Sequence, residues 1–230
     1  MPYEDVKFAS GTTQIPGWLY SPTGTASTGL VVIAYGVDGL TDNHNGPWKT
    51  MIHGYAEALA KGGLFALIPD YLVKTNTTGG IAAMEVMMQK RDDWATALAD
   101  CASYAKTLAR VDASRIGLLG FSLGGHLCLH IRAAVKPKAL VEYFAPVLDG
   151  IGPSGAVPRA QIHHGTSDML PATHFSFAGA IRRTLEAEHT DVTLFPYDKA
   201  GHGFAANDEA NKKASALSRT RTLSFFASHL

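Results

Sequence analysis

The chain alternates short apolar runs with longer stretches of helical spacing. LVVIAY (30–35), LFALIP (64–69) and RIGLLGF (115–121) are apolar almost throughout. That is the pattern of strands covered on both faces, as in a parallel sheet. Residues 6–9 and 17–20 are two further strands, close enough to pair as a hairpin, and 139–144, 161–164 and 192–197 complete the set. Helical spacing runs over 47–61 and stops at Gly62-Gly63, a helix-end signal. It returns over 81–110, in one piece or two, and over 124–135, 175–188 and 209–229. Residues 71–80 form a polar excursion. Strands alternating with helices predict βαβ units and a parallel sheet with helices on both faces. Without internal repeats, low-complexity tracts or linkers, residues 1–230 read as a single domain.

Composition narrows the partners. With 230 residues and 46% hydrophobic content the chain can bury a sizeable core. Twenty basic residues balance twenty acidic ones, so no net charge draws it to nucleic acid or an anionic membrane. The apolar runs are strand-sized, well short of the roughly 18 residues of a membrane span. The start, MPYEDVKFAS, has no apolar signal core. Cys101 and Cys128 lie far apart in helical segments, without metal spacing and without implying a disulfide. These features predict a soluble cytoplasmic protein, monomeric or homodimeric, with no nucleic-acid or membrane partner.

The chemistry starts at GFSLGG (120–125), between a strand and a helix. Gly-X-Ser-X-Gly in that context is a nucleophile elbow: a tight turn that exposes the Ser122 hydroxyl at the strand's carboxyl end. Side chains two residues either side would crowd the turn, hence Gly120 and Gly124, and Gly125 allows close helix–strand approach. The Leu123 amide, at the helix start, can donate to an oxyanion. An elbow serine needs an acid and then a histidine later in the chain. Asp168 follows the strand 161–164, and His202 sits in the Gly-flanked loop AGHGF after the strand 192–197. His202 would take the Ser122 proton while Asp168 holds the imidazole, and activity should rise with pH as that imidazole becomes neutral. Asp198 competes as the acid but lies only four residues before His202. The second oxyanion donor should come from GVDGL, at Val37 first and Gly36 second.

Other polar residues take plainer readings. Asp38, Asp42, His44 and Asn45 are loop polar groups with no metal spacing, and His126, His130, His163 and His164 pack or support turns. Glu142, inside LVEYF, approaches the site from below. Met84, Met87 and Met88 read as core. Tyr35, Tyr71, Tyr143 and Phe204 are expected to line a small pocket.

These segments together resemble the dienelactone hydrolase family of α/β-hydrolases. LVVIAYGVDGL looks like its oxyanion strand and loop, GGLFALIPDYL like its next strand with Pro69-Asp70, and RIGLLGFSLGG like its elbow. IHHGTSDMLP looks like its acid loop, AGHGFA like its histidine loop, and ASALSRTRTLSFFASHL like its final helix. The resemblance implies a three-layer α/β-hydrolase fold with an eight-stranded, mostly parallel sheet, no large cap domain and no cofactor. The family's type enzymes use a cysteine nucleophile and a glutamate in the oxyanion loop; this chain has Ser122 and Gly36. Lys74, Lys90 and Arg91 are the candidates for the family's substrate-carboxylate cations. The expected function is hydrolysis of a small carboxylic ester or lactone through an acyl-enzyme. The alternatives are acyl transfer or peptidase action on the same triad, or a non-catalytic binding protein that keeps the fold.

Overall fold

A computed structural model describes residues 3–43 and 45–230; His44, Met1 and Pro2 lie outside the described residues. The hairpin forms as β1 (Glu4–Ser10) and β2 (Thr13–Tyr20), turning at Gly11 with φ 55°. β3 (Thr28–Ala34) is followed by a two-residue antiparallel pair, β4 (Asp42–Asn43) and β5 (Gly46–Pro47). The remaining strands are β6 (Phe65–Pro69), β7 (Val111–Phe121), β8 (Ala139–Tyr143), β9 (Arg159–Gly165) and β10 (Asp191–Tyr197). Eight of them form one sheet in the order β1-β2-β6-β3-β7-β8-β9-β10, in which β2 runs antiparallel to both neighbours and β3, β6, β7, β8, β9 and β10 pair in parallel.

Among the described residues, five long helices cover the sheet: α1 (Trp48–Lys61), α2 (Ile81–Ala105), α3 (Leu123–Val135), α4 (Ser176–Ala187) and α5 (Glu209–His229). In α1, Ile52, Tyr55, Ala56, Leu59 and Ala60 recur at three- and four-residue spacing and make its buried face. α1 packs against α5, and α2 against α3. The stretch expected as 81–110 is one helix ending at Ala105, followed by turns and Arg110 at φ 68°. Within the excursion 71–80, a short 3-10 turn (Tyr71–Thr75) buries Tyr71 and Leu72. The fold is that of an α/β-hydrolase, with no large cap domain among the described residues. No helix among those residues is long and apolar enough to cross a membrane.

The strand order places the site. From β3 the chain goes outward to β6, then returns to lay β7 on the other side of β3. Connections therefore diverge at the carboxyl ends of β3 and β7, leaving a crevice there, as at switch points of open α/β sheets. Ser122 follows β7 and Gly36-Val37 follow β3.

The turn from β7 into α3 is sterically tight. Ser122 itself has φ 51° and ψ −118°, a conformation that L-residues adopt only when their surroundings hold them there. A Cβ on Gly124 would lie 2.2 Å from the Ala34 carbonyl oxygen and 2.4 Å from that of Tyr35. One on Gly120 would lie 2.3 Å from the Gly124 carbonyl oxygen. A Cβ on Gly36, by contrast, would make an ordinary 3.4 Å contact with Ser122 Cβ and the Phe121 carbonyl. Gly124→Ala should therefore cost about 3 kcal/mol or more, as forced backbone clashes do. Gly36→Ala should stay within about 0.5 kcal/mol of the parent. Urea unfolding of the two variants checks the contrast.

Candidate active site

Ser122, His202 and Asp168 meet at the carboxyl edge of the sheet. Ser122 Oγ lies 3.2 Å from His202 Nε2, and His202 Nδ1 lies 2.7 Å from Asp168 Oδ2. A carboxylate only accepts, so Nδ1 carries the hydrogen and Nε2 is left to accept from the serine hydroxyl. Asp168 is fully buried, which by itself would favour its neutral form. Hydrogen bonds from His164, His202 and Thr173 outweigh that burial and hold its carboxyl well below the usual carboxylate range. Thr173 Oγ1 donates to Oδ1 at 3.0 Å, the Leu170 amide reaches the same oxygen at 3.2 Å, and His164 Nε2 is 3.3 Å from Oδ2. Asp198, the competing acid, is exposed and takes no part.

The acid and histidine loops are stitched together beyond their parallel strands. Thr166 N–H donates to the Tyr197 carbonyl, Ser167 N–H to that of Ala200, and Lys199 N–H to Thr166 Oγ1. Gly165 has to be glycine, since a Cβ would sit 2.2 Å from the Ala200 carbonyl oxygen. Gly201 N–H donates to Asn211 Oδ1, and Asn211 is held by Asp208, the N-cap of α5. The helix cap thus also steadies the loop that carries His202.

The Leu123 amide is at the first position of α3, where no intrahelical acceptor exists. In the loop after β3, the Gly36 carbonyl accepts from Gly39 N–H and the Val37 carbonyl from Gly80 N–H. In a trans peptide the Val37 N–H points opposite to the engaged Gly36 carbonyl. Gly36, Val37, Ser122, Leu123 and His202 all border one cavity of about 500 Å³.

That cavity is lined differently from the sequence expectation. Tyr35, Tyr71 and Tyr143 are fully buried and are not part of its wall. Tyr35 Oη donates to Asp70 Oδ1 at 2.6 Å, and Tyr71 Oη donates to the Tyr35 carbonyl while the two rings stack at 4.4 Å. Tyr143 Oη joins Tyr55 and Thr222 inside the core. These hydroxyls have buried partners, which is what draws them inward. Phe204 backs the wall: it packs edge-on against Phe144 at 5.3 Å, and Phe144 lines the cavity and meets the His202 ring at 4.8 Å. Met84, expected in the core, is exposed and lines the cavity, while Met87 packs against the core and also lines the cavity, with Trp48 and Met51 from α1. The sequence reading also missed Thr173 and Asn211; Asp208, a capping residue immediately before the helical run 209–229, was the available signal for Asn211.

A match to the dienelactone hydrolase family model covers residues 15–230. The chain belongs to the dienelactone hydrolase family. It is 23% identical over 225 residues to a putative carboxymethylenebutenolidase from Synechocystis sp. (strain ATCC 27184 / PCC 6803 / Kazusa), covering 88% of this chain and 86% of that protein. It is 28% identical over 153 residues to the quorum-quenching protein AidA of Acinetobacter baumannii (strain MDR-ZJ06), covering 66% of this chain but only 47% of AidA. Among solved structures it resembles the dienelactone hydrolase-like promiscuous phosphotriesterase P91 from metagenomic libraries. That pair has TM-score 0.77 and 20% identity, covering 99% and 98% of the two chains. Est1E from Butyrivibrio proteoclasticus superposes with TM-score 0.68 at 15% identity, covering 97% and 99%. At these identities the structural likenesses speak for the fold.

The remaining polar residues fall into place around this centre. His163 and His126 are buried, and burial depresses their imidazoles to about 3 and about 4. His163 bonds Tyr197 Oη, and His126 the Pro146 carbonyl. His130 is partly exposed, 3.7 Å from Asp92. Asp42 bonds Thr50, and Asn45 bonds Asp38; no group of three or more potential metal ligands occurs among the described residues. Cys101 and Cys128 are buried free thiols. Lys74 donates to the Ser10 carbonyl and Arg91 pairs with Asp149 and Asp92; neither these nor Lys90 line the cavity.

Glu142 does lie beneath the site, opposite Gly120 on β7 and Ile162 on β9. Its Oε2 accepts from the Ala145 amide at 2.9 Å, steadying the loop that carries Phe144. Burial pushes its carboxyl up to about 7, against the opposing pull of His164 and that amide. The unfolded chain releases this proton near the ordinary 4.5 and the folded chain near 7, so stability falls as pH rises between them. Relative to Glu142→Gln, the parent should lose on the order of 3 kcal/mol between pH 4.5 and pH 8. Urea unfolding of both proteins across that range measures the difference, and a pH-independent gap would contradict it.

Proposed function

We propose that the protein is a serine hydrolase that cleaves carboxylic esters or lactones of small molecules through an acyl-enzyme. One observation carries this reading. A serine on a strained turn, an imidazole and a buried carboxylate line up with contacts of 3.2 and 2.7 Å at the edge of a cavity. Ser122 Oγ attacks the carbonyl carbon as its proton passes to His202 Nε2. The oxyanion gathers hydrogen bonds from the Leu123 amide and the Val37 amide, with the Gly36 peptide setting the direction of the latter. Collapse of the tetrahedral adduct breaks the bond to the leaving alkoxide, which takes the proton from His202. Water then repeats the sequence: His202 accepts its proton, hydroxide attacks the acyl carbon, and Ser122 Oγ leaves reprotonated. Asp168, a carboxylate on account of the donors around it, fixes the His202 tautomer and balances the imidazolium. No cofactor enters the scheme.

Family membership and the names of relatives, a putative carboxymethylenebutenolidase among them, support hydrolysis as the reaction class. Ser122 is partly exposed at the cavity, which leaves the acyl-enzyme open to water. Two buried free thiols fit a reducing compartment, and with it a cytoplasmic setting. With p-nitrophenyl acetate, Ser122→Ala should lower kcat by at least about 10³-fold, and Asp168→Asn by about 10²–10⁴-fold with little change in KM. Near-parental turnover in Ser122→Ala would overturn the reading.

A further inference from the structure

The cavity's chemistry bears on the substrate; this inference rests on the hydrolase reading above. Its walls are mainly apolar, with Trp48 and Met51 from α1, Met84 and Met87 from α2, Phe144 after β8 and Leu170 in the acid loop. Among the described residues that line it there is no lysine or arginine, and Asp38 is the one acidic side chain. A substrate carboxylate seated there would lose water, gain no cation and face Asp38.

Exposed apolar side chains occur on the two elements that supply Met84 and Leu170. Ile81, Met84 and Met88 follow one another at helical spacing on the first two turns of α2 and are 74%, 58% and 54% exposed. Leu170, which lines the cavity, and Met169 beside it are 50% and 73% exposed. Scattered exposed apolar residues need no explanation, but Met84 and Leu170 among these five line the cavity itself. Unbranched thioethers adapt to flexible apolar chains of varied length.

The reaction orients the substrate in this cavity. The leaving alkoxide has to reach His202 Nε2, so it lies against the His202–Phe144 wall. The carbonyl oxygen faces the Val37 loop, which is tied to the start of α2 by the Gly80 N–H bond to the Val37 carbonyl at 2.8 Å. The acyl substituent, directed away from His202, runs along that start toward Met84 and Met87. We propose that the protein acts on uncharged esters or lactones bearing an unbranched apolar acyl chain, and that Met84 and Met87 form the wall that reads this chain.

A p-nitrophenyl ester series from acetate to decanoate tests the idea, with the half-ester of adipate as the charged match for hexanoate. kcat/KM should rise by about two- to fourfold per methylene until the cavity is filled, the gain expected for burying a CH₂ group. The adipate half-ester should be at least about 100-fold poorer than hexanoate, because its carboxylate would be desolvated unpaired. Met84→Lys should narrow that ratio by about tenfold or more. Lengthening the alcohol of alkyl acetates should give a smaller gain than lengthening the acyl chain. A kcat/KM that is flat or falls beyond acetate, equal use of the adipate half-ester, or a gain confined to the alcohol side would each overturn the inference. If acetate is still hydrolysed in a Ser122-dependent manner in those cases, the hydrolase reading stands without it. If no ester in the series is turned over, the hydrolase reading falls and takes this inference with it.

Discussion

The site depends on how closely the β7–α3 turn can be pressed against the end of β3. Gly124 lets the first turn of α3 approach the Ala34 and Tyr35 carbonyls where no Cβ fits, and Gly120 lets the same turn close back on β7. That approach sets three things at once. It holds Ser122 at positive φ with its hydroxyl outward, it aims the first amide of α3 at the same space, and it brings the β3 loop alongside. The turn is fixed from the other side too, because Ser122 N–H donates to the Tyr143 carbonyl and His126 N–H to the Ser122 carbonyl. Strain of this kind, of order 1–3 kcal/mol, persists only where the surroundings over-determine it.

The other half of the site is assembled by hydrogen bonds rather than by close packing. β9 and β10 run parallel, so their exits lie side by side, and backbone bonds between the two exit loops bring Asp168 to His202. A buried carboxylate is costly unless fully bonded. Thr173, His164, His202 and the Leu170 amide meet that demand, which makes Asp168 a fixed negative charge under the imidazole. The stacked pair Tyr35 and Tyr71 plays a matching part on the β3 side: it ties the carbonyl just before Gly36 to the turn after β6.

What the sequence made legible was whatever local covalent geometry dictates. A serine between glycines, an acid and a histidine each at a strand end, and the alternation of strands with helices are constraints felt within a few residues. The pocket was less legible, because it is made by faces. Tyr143 neighbours Glu142 on β8, and alternation along a strand sends the two to opposite sides. Which side meets the cavity depends on helices far away in sequence, and the Tyr143 hydroxyl goes to Thr222 on α5. Met84 and Met87 have the spacing of a buried helix face, yet in the first turns of α2 Ala83 is the residue fully buried in the core, and the two methionines line the cavity. Thr173 escaped notice because a loop threonine has no pattern of its own; only the folded position of Asp168 gives it a partner.

Under the proposed function, the fold makes Ser122 a nucleophile with His202 as its base. The most direct measurement is intact and peptide mass spectrometry after treatment with a fluorophosphonate, on the parent and on His202→Ala. One adduct per chain is expected, on Ser122, formed at least about a hundredfold more slowly without the imidazole. A folded parent protein that takes no adduct, or takes it at another residue, would contradict the account.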